Sequence, residues 1–300
     1  MLSKLRDYLR IAFGTLLISL NTLLHVAPLL MIAAIKVLIP LRMVRRTCSR
    51  LLAGIAESWI AANSAMIMLF THIQFQIPDV RGLRSDGSYL VLCNHQSWVD
   101  IPVLQMALNR RIPLMRFFLK SQLIWVPVLG LAWWALDFPF MKRHTKSQIA
   151  RHPELRRQDM ETTRRACEKF RGIPVSIMSF VEGTRFQPYK HARQSSPYRN
   201  LLRPKVGGVA IVLNAMGSVL HELLDVTIVY PDGRPSMLDL MTDRVGRVLV
   251  QVTQRRIPDD LLGGDYERDT EYRLRLQHWI NDLWQHKDTL IDEAIGKGPA

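Results

Sequence analysis

From Ile11 to Ile35 the chain runs for 25 residues without a formal charge. As a helix, that length reaches across the hydrocarbon core of a bilayer. Only Asn21, His25 and a few hydroxyls interrupt it, and Pro28 inside it allows a kink or a helix–turn–helix. Both flanks are basic, with Lys4, Arg6 and Arg10 before it and Lys36, Arg42, Arg45, Arg46 and Arg50 after it. A bias of positive charge on both sides selects no orientation. Two arrangements follow: a single span, or a hairpin dipping into one leaflet with both ends on the same, cytoplasmic side. No small-x-small cleavage site follows, which argues against a signal peptide. A second apolar stretch, Leu51 to Phe70, is interrupted by Glu57, Ser58, Asn63 and Ser64. It reads as an amphipathic helix at the interface or against the first helix. A buried pair of core helices is the competing reading.

The remainder is different in kind. Apolar residues make up 48% of the 300 positions and charged residues 22%, enough to bury a core and too ordered a mixture for a disordered tail. Mean hydropathy is +0.03, high for a soluble protein and low for a multi-span transporter. The formal net charge of +14 implies an anionic partner: nucleic acid, a membrane surface or a phosphorylated substrate. The excess lies in two patches, residues 1–50 beside the apolar stretch and residues 142–205 deep in the chain. Basic residues that bracket an apolar segment suit anionic lipid. The three cysteines, Cys48, Cys93 and Cys167, are too scattered for a disulfide framework and fit a reducing compartment.

Past Pro78, short β-rich runs alternate with helical ones. Ile73–Ile77, Tyr89–Cys93, Leu114–Leu119, Val175–Val181, Val226–Tyr230 and Val248–Val252 read as strands. Asp100–Leu108, Asp159–Phe170, Val206–Met216 and Glu267–Ile295 read as helices. The last carries an apolar stripe of Leu276, Ile280, Leu283, Trp284, Leu290 and Ile291, read as core or interface. The pattern predicts an α/β fold, a mixed central sheet flanked by helices, over residues 73–300, with membrane-anchoring helices over residues 1–72.

Strand Tyr89–Cys93 runs into Asn94-His95-Gln96-Ser97-Trp98-Val99-Asp100. A histidine at a strand exit and an aspartate five residues on, across a turn into a helix, can form a dyad. The carboxylate would hold Nδ1–H and leave Nε2 free as a general base. No Gly-x-Ser-x-Gly elbow accompanies the pair, so the nucleophile would be a substrate hydroxyl. Composition alone yields about 0.5 such His-x4-Asp matches, so the spacing needs support from elsewhere. That support is Phe180-Val181-Glu182-Gly183-Thr184-Arg185, an apolar strand ending in backbone N–H groups, a hydroxyl and a guanidinium. Such a tip suits an anionic headgroup. Lys142, Arg143, Lys190, Arg193, Arg203 and Lys205 add positive charge nearby.

Together these elements resemble the glycerolipid acyltransferase family, typified by 1-acyl-sn-glycerol-3-phosphate acyltransferases. Four blocks stand in the family's order. The first is Asn94 to Asp100 and the second Phe138-Pro139-Phe140-Met141-Lys142-Arg143. The third, usually Phe-Pro-Glu-Gly-Thr-Arg, has Val181 in place of proline. The fourth is Val226-Thr227-Ile228-Val229-Tyr230-Pro231. The resemblance covers roughly residues 80–235. Phe118-Leu119-Lys120, Trp125-Val126-Pro127, Trp134-Ala135-Leu136-Asp137 and Glu161-Thr162-Thr163-Arg164-Arg165 resemble an enterobacterial inner-membrane branch of the family.

The resemblance implies that residues 73–300 are an acyltransferase catalytic domain. It implies His95 as base and Asp100 as its orienting carboxylate. Arg185 and Arg143 would hold an acceptor phosphate, Lys142 would add charge, and Glu182, Gly183 and Thr184 would complete the pocket. It implies an acyl-CoA or acyl carrier protein thioester as co-substrate, with no other cofactor and no metal. His144, His152 and His191 show no ligand spacing. Membrane phospholipid and a lysophospholipid acceptor are the implied partners, nucleic acid is not, and the implied location is the cytoplasmic face of a bacterial inner membrane. A thioesterase that activates water and a membrane-tethered nucleic-acid-binding protein are the other classes the residues allow. No helix-turn-helix, zinc-finger or RNP1-like signature supports the latter.

Overall fold

The computed structural model describes residues 2–77, 80, 82–141, 151, 161–162, 164–165, 167, 170 and 173–296. Helix α1 (Leu2–Leu38) contains the whole charge-free stretch, and Pro28 lies inside it without ending it. The reversal comes instead at residues 39–41, where Pro40 disfavours helix at the residue before it. Helix α2 (Arg42–Phe70) then runs back along α1. Polar residues that interrupt both stretches meet in the seam: the Asn21 amide donates to Asn63 Oδ1 at 2.8 Å, and the Trp59 indole donates to Thr22 Oγ1 at 3.1 Å. The outer surface keeps large apolar side chains in the open, among them Leu9, Phe13, Leu16, Leu24 and Met31. Both helices are long and apolar enough to cross a membrane.

The hairpin is fastened to the rest of the chain. Arg10 pairs with Asp243 at 3.0 Å, and Asp7 pairs with Arg244. At the other end of α1, Lys36 pairs with Asp137. Leu29, Ala33, Leu52, Ala56 and Ile60 share a small core with Leu114, Ala132, Ala135 and Leu136. The two N-terminal helices therefore bury apolar surface against the chain around residues 114–136.

A six-stranded sheet carries the domain. Its strands are β1 (Gln74–Gln76), β2 (Ser88–Cys93), β3 (Met115–Phe117), β6 (Val175–Phe180), β7 (Glu222–Val229) and β8 (Arg247–Arg256), in the order β1-β8-β7-β2-β6-β3. Only β7 and β8 pair antiparallel. The run Leu114–Leu119, predicted as one strand, divides because Leu119 leaves the sheet. It joins β4 (Leu119–Lys120), which pairs with β5 (Phe140–Met141) in a two-stranded ladder.

Alternation along β2 serves both faces. Leu90 and Leu92 pack with helix α6 (Val206–Met216) and the C-terminal helix α8 (Thr270–Gly296). Tyr89, Val91 and Cys93 pack with helix α3 (Asp100–Leu108). Three short α-helices, α4 (Leu129–Ala135), α5 (Pro188–Gln194) and α7 (Met237–Met241), and two 3-10 turns, Ser121–Trp125 and Asp259–Leu261, complete the described elements. They are too short for a helical period to show in the sequence. Of the predicted helix Asp159–Phe170, residues 161–162, 164–165 and 167 are helical, and the other positions but Phe170 lie outside the described residues.

Candidate active site

The register of the sheet makes the site. Cys93, the last residue of β2, lies opposite Phe180 of β6 on one side and Val226 of β7 on the other. The carboxyl ends of three neighbouring parallel strands thus come together, the usual place for a site in an open α/β sheet. Asn94 extends the pairing by one residue with its side chain: its amide donates to the Ile228 carbonyl and its Oδ1 accepts from the Ile228 N–H, both at 2.9 Å. The chain then leaves the sheet, and His95 emerges at a fixed point.

His95 Nδ1 and Asp100 Oδ2 are 2.8 Å apart. The same oxygen accepts the backbone N–H groups of Gln96 at 2.6 Å and Ser97 at 2.9 Å, while Oδ1 accepts the Tyr230 hydroxyl at 2.7 Å. With Asp100 fully buried and accepting from all sides, Nδ1 must be the protonated nitrogen. Nε2 has no hydrogen-bond partner among the described residues. Tyr230 stays a phenol, because burial first and the adjacent Asp100 second push its pKa well above the usual value. The imidazole lies flat on Phe180, centroids 3.9 Å apart and planes 12° apart. Its position is therefore held by a carboxylate at one edge and an aromatic face below.

Among the described residues no protein nucleophile is hydrogen-bonded to Nε2. The Ser97 hydroxyl donates to the Pro235 carbonyl and accepts from the Val99 N–H at 3.0 Å. Thr184 Oγ1 accepts from Lys190 at 2.7 Å. Burial pushes the Cys93 thiol well up, out of the thiolate range.

The third block folds around the dyad. Val181, at the position where the family usually has proline, is 2% exposed, and its carbonyl accepts the Lys205 N–H at 2.7 Å. Gly183 closes a turn onto the Phe180 carbonyl at φ +68°, and a Cβ there would stand 3.1 Å from the Lys205 side chain. The positive φ is what favours glycine here, while the Lys205 side chain would need to shift only slightly to admit a Cβ. Arg185 lies over the Trp98 ring at 4.3 Å, and Phe186 donates its N–H to the His95 carbonyl at 2.7 Å.

Glu182 corrects the expectation that it lines the headgroup pocket. It is 0% exposed, and its two oxygens accept the His95 N–H at 2.8 Å and the Leu202 N–H at 2.9 Å. It is a positioning residue that ties the third block to the backbone of the base. Lys142 and Arg143 lie outside the described residues. His95, Asp100, Gly183, Thr184 and Arg185 are brought together.

Burial lifts the Glu182 carboxyl to about 8, against the pull of its two backbone donors and with Asp100 adding to the rise. A carboxyl with a raised folded-state pKa gives stability that is complete below its ordinary value and is lost as pH rises through the folded one. The melting temperature of the full chain should therefore fall between about pH 5 and about pH 9, and Glu182→Gln should flatten the fall. Parallel melting profiles for the two proteins in one detergent would refute this.

Two contributors escaped the sequence reading. Tyr230 stands in the fourth block, but nothing local shows that its hydroxyl meets Asp100. Lys287 is 0% exposed, and its ammonium is held by Asp225 Oδ1 at 2.6 Å, the Val226 carbonyl at 2.7 Å and Thr227 Oγ1 at 3.0 Å. It pins α8 to β7 behind the site. A lysine on the apolar stripe, three residues past Trp284, was the available signal. Among the described residues no three His, Cys, Asp or Glu side chains gather as metal ligands.

A histidine held by a buried carboxylate at the carboxyl ends of parallel strands is an arrangement able to activate a hydroxyl or water. The model of the Acyltransferase family matches residues 72–231, over half the chain, and the protein belongs to that family. The structure resembles the crystal structure of the 1-acyl-sn-glycerophosphate (LPA) acyltransferase PlsC from Thermotoga maritima. The TM-score is 0.53 over 94% of this chain and 97% of that one, at 17% identity, a likeness of fold. The 1-acyl-sn-glycerol-3-phosphate acyltransferase delta of Bos taurus is 22% identical over 223 residues, 70% of this chain and 53% of that protein. The gamma protein of Mus musculus is 22% identical over 190 residues, 60% of this chain and 45% of that protein. The chain spans about half the length of the curated relatives it matches.

Proposed function

We propose that this protein moves a fatty acyl chain from a thioester donor, acyl-CoA or acyl carrier protein, to the free hydroxyl of 1-acyl-sn-glycerol 3-phosphate, giving phosphatidic acid. The observation that carries the proposal is a complete His95–Asp100 dyad whose Nε2 has no serine, threonine or cysteine partner among the described residues. The nucleophile is then the acceptor's own hydroxyl. His95 Nε2 takes its proton as the oxygen attacks the thioester carbonyl, and Asp100 stabilises the imidazolium that forms. Collapse of the tetrahedral intermediate breaks the carbon–sulfur bond, and the departing thiolate receives the proton back from His95. Backbone N–H groups or a basic side chain hold the oxyanion. Arg185 and Arg143 hold the acceptor phosphate, with Lys142 adding charge. No metal or cofactor takes part, since the thioester is already activated. The outward apolar face of α1 and α2 anchors the enzyme at the cytoplasmic face of a bacterial inner membrane, in keeping with the likeness to the enterobacterial branch.

The test is transfer of labelled acyl groups to a panel of lysophospholipids by the full-length protein in membranes. Product with 1-acyl-sn-glycerol 3-phosphate is expected. Thioester hydrolysis without acceptor, at a rate matching transfer, would replace the proposal with a thioesterase. Arg185→Ala should raise KM for the phosphate-bearing acceptor about 10- to 100-fold and lower kcat less, since a phosphate contact exists before and during the chemistry. A collapse of kcat at unchanged KM would assign Arg185 to the transition state or the fold.

A further inference from the structure

Arg234 has no part in the site described so far, yet the loop that carries it is built onto the dyad. The loop follows β7 as Tyr230-Pro231-Asp232-Gly233-Arg234-Pro235. Gly233 turns it at φ +108°, its N–H donating to the Tyr230 carbonyl at 3.1 Å. Both ends are fastened to the first block, Tyr230 through its hydroxyl to Asp100 and Pro235 through its carbonyl to the Ser97 hydroxyl. Between these two points the Arg234 guanidinium lies 3.9 Å over the Phe186 ring, and Phe186 is the residue bonded to the His95 carbonyl.

The arrangement repeats that of Arg185 over Trp98. Each guanidinium has an aromatic ring against one face, which leaves its N–H edge available to an anion. Neither makes an ion pair among the described residues. The nearby carboxylates are engaged elsewhere: Asp232 with Arg247, Asp239 with Ser236 and Glu182 with two backbone N–H groups. Crowding on one side of Arg234 lowers its pKa from the usual arginine value while Glu182 opposes the shift, and the side chain keeps its charge at neutral pH.

We propose that Arg234 is a further phosphate-binding residue, beside the Arg185 and Arg143 already assigned, and that Arg234 and Arg185 supply two guanidinium forks to the receptor for a phosphate monoester on the acceptor. The inference rests on the acceptor class proposed above and sharpens it. A monoester near neutral pH carries close to two charges and three free oxygens, which two guanidinium forks can share. A diester headgroup has one charge and two free oxygens, and loses one of the forks. The loop therefore selects a lysophospholipid with a bare phosphate over one with a substituted phosphate.

The test uses full-length Arg234→Gln and Arg234→Lys in detergent, with 1-acyl-sn-glycerol 3-phosphate and 1-acyl-phosphatidylglycerol as acceptors. For Arg234→Gln, KM for the monoester rises about tenfold or more, and the ratio of kcat/KM between monoester and diester falls about tenfold. Arg234→Lys, which keeps the charge and loses the fork, gives a smaller fall in the same direction and serves if the glutamine variant does not fold. A role confined to propping Phe186 depresses both acceptors alike and leaves the ratio unmoved, which overturns the proposal. A second arm reads equilibrium binding of short-chain 1-acyl-sn-glycerol 3-phosphate and of CoA by calorimetry in the His95→Ala background, where turnover does not intervene. Arg234→Gln there weakens the lysophosphatidate about tenfold and leaves CoA unchanged. Weakened CoA with unchanged lysophosphatidate, or no change in either, overturns the assignment. If the wild-type protein fails to acylate lysophosphatidate, the proposed function falls, and this binding arm still decides the role of Arg234.

Discussion

His95→Ala in the full-length chain should lower acyl transfer by about 10²- to 10⁴-fold, the usual worth of a positioned general base. The loss should be one of chemistry and not of folding. Removing the imidazole takes one of four donors from Asp100, and the Gln96 N–H, the Ser97 N–H and the Tyr230 hydroxyl remain. The backbone of residue 95 keeps its bonds to Glu182 and Phe186, which need no side chain. The variant should therefore express, associate with membranes and bind acceptor while failing to turn it over. Near-normal transfer in assayed membranes would sink the dyad mechanism altogether.

The second large effect is at Asp100, and here the choice of substitution matters. Asp100→Asn can keep its oxygen toward the Gln96 and Ser97 N–H groups and His95 Nδ1, and turn its amide toward Tyr230, whose hydroxyl can accept as well as donate. The turn should survive while the negative charge that stabilises the imidazolium is lost, and transfer should fall by about 10²- to 10⁴-fold. Asp100→Ala strands three buried N–H donors and a buried phenol, each costing about 1–3 kcal/mol, and should fail by unfolding. Rates and melting temperatures for both variants between about pH 6 and about pH 9 separate the two outcomes. Wild-type rates for Asp100→Asn across that range would reduce Asp100 to a helix-start residue.

Much of this was visible because it is local. Asp100–Leu108 and Val206–Met216 have the predicted bounds, since apolar spacing in a helix is a property of neighbouring residues. The two members of the dyad are five positions apart, and strand exit, turn and helix start are all written in one segment. The strands β2 and β6 were legible as apolar runs ending in chemistry. What a run cannot express is its partner. Glu182 was read as a pocket residue because the family resemblance implied it, and nothing in its own segment spoke against that. Its place appears only when β2 and β6 pair in register and bring one of its oxygens to the N–H of a residue 87 positions earlier.

By itself, then, the sequence determined that long apolar helices precede an α/β fold, and that a histidine and an aspartate stand at a strand exit ahead of a basic strand tip. Periodicity, charge-free length and motif spacing carry those facts, and each is a short-range property. The tertiary structure alone decided that Tyr230 closes the fourth side of Asp100, that Lys287 is buried against Asp225, and that Arg185 and Arg234 lie over Trp98 and Phe186. Each of these joins residues from separate strands or loops. Their meeting depends on strand order and register, which are settled by burying both faces of the sheet at once and by no single segment.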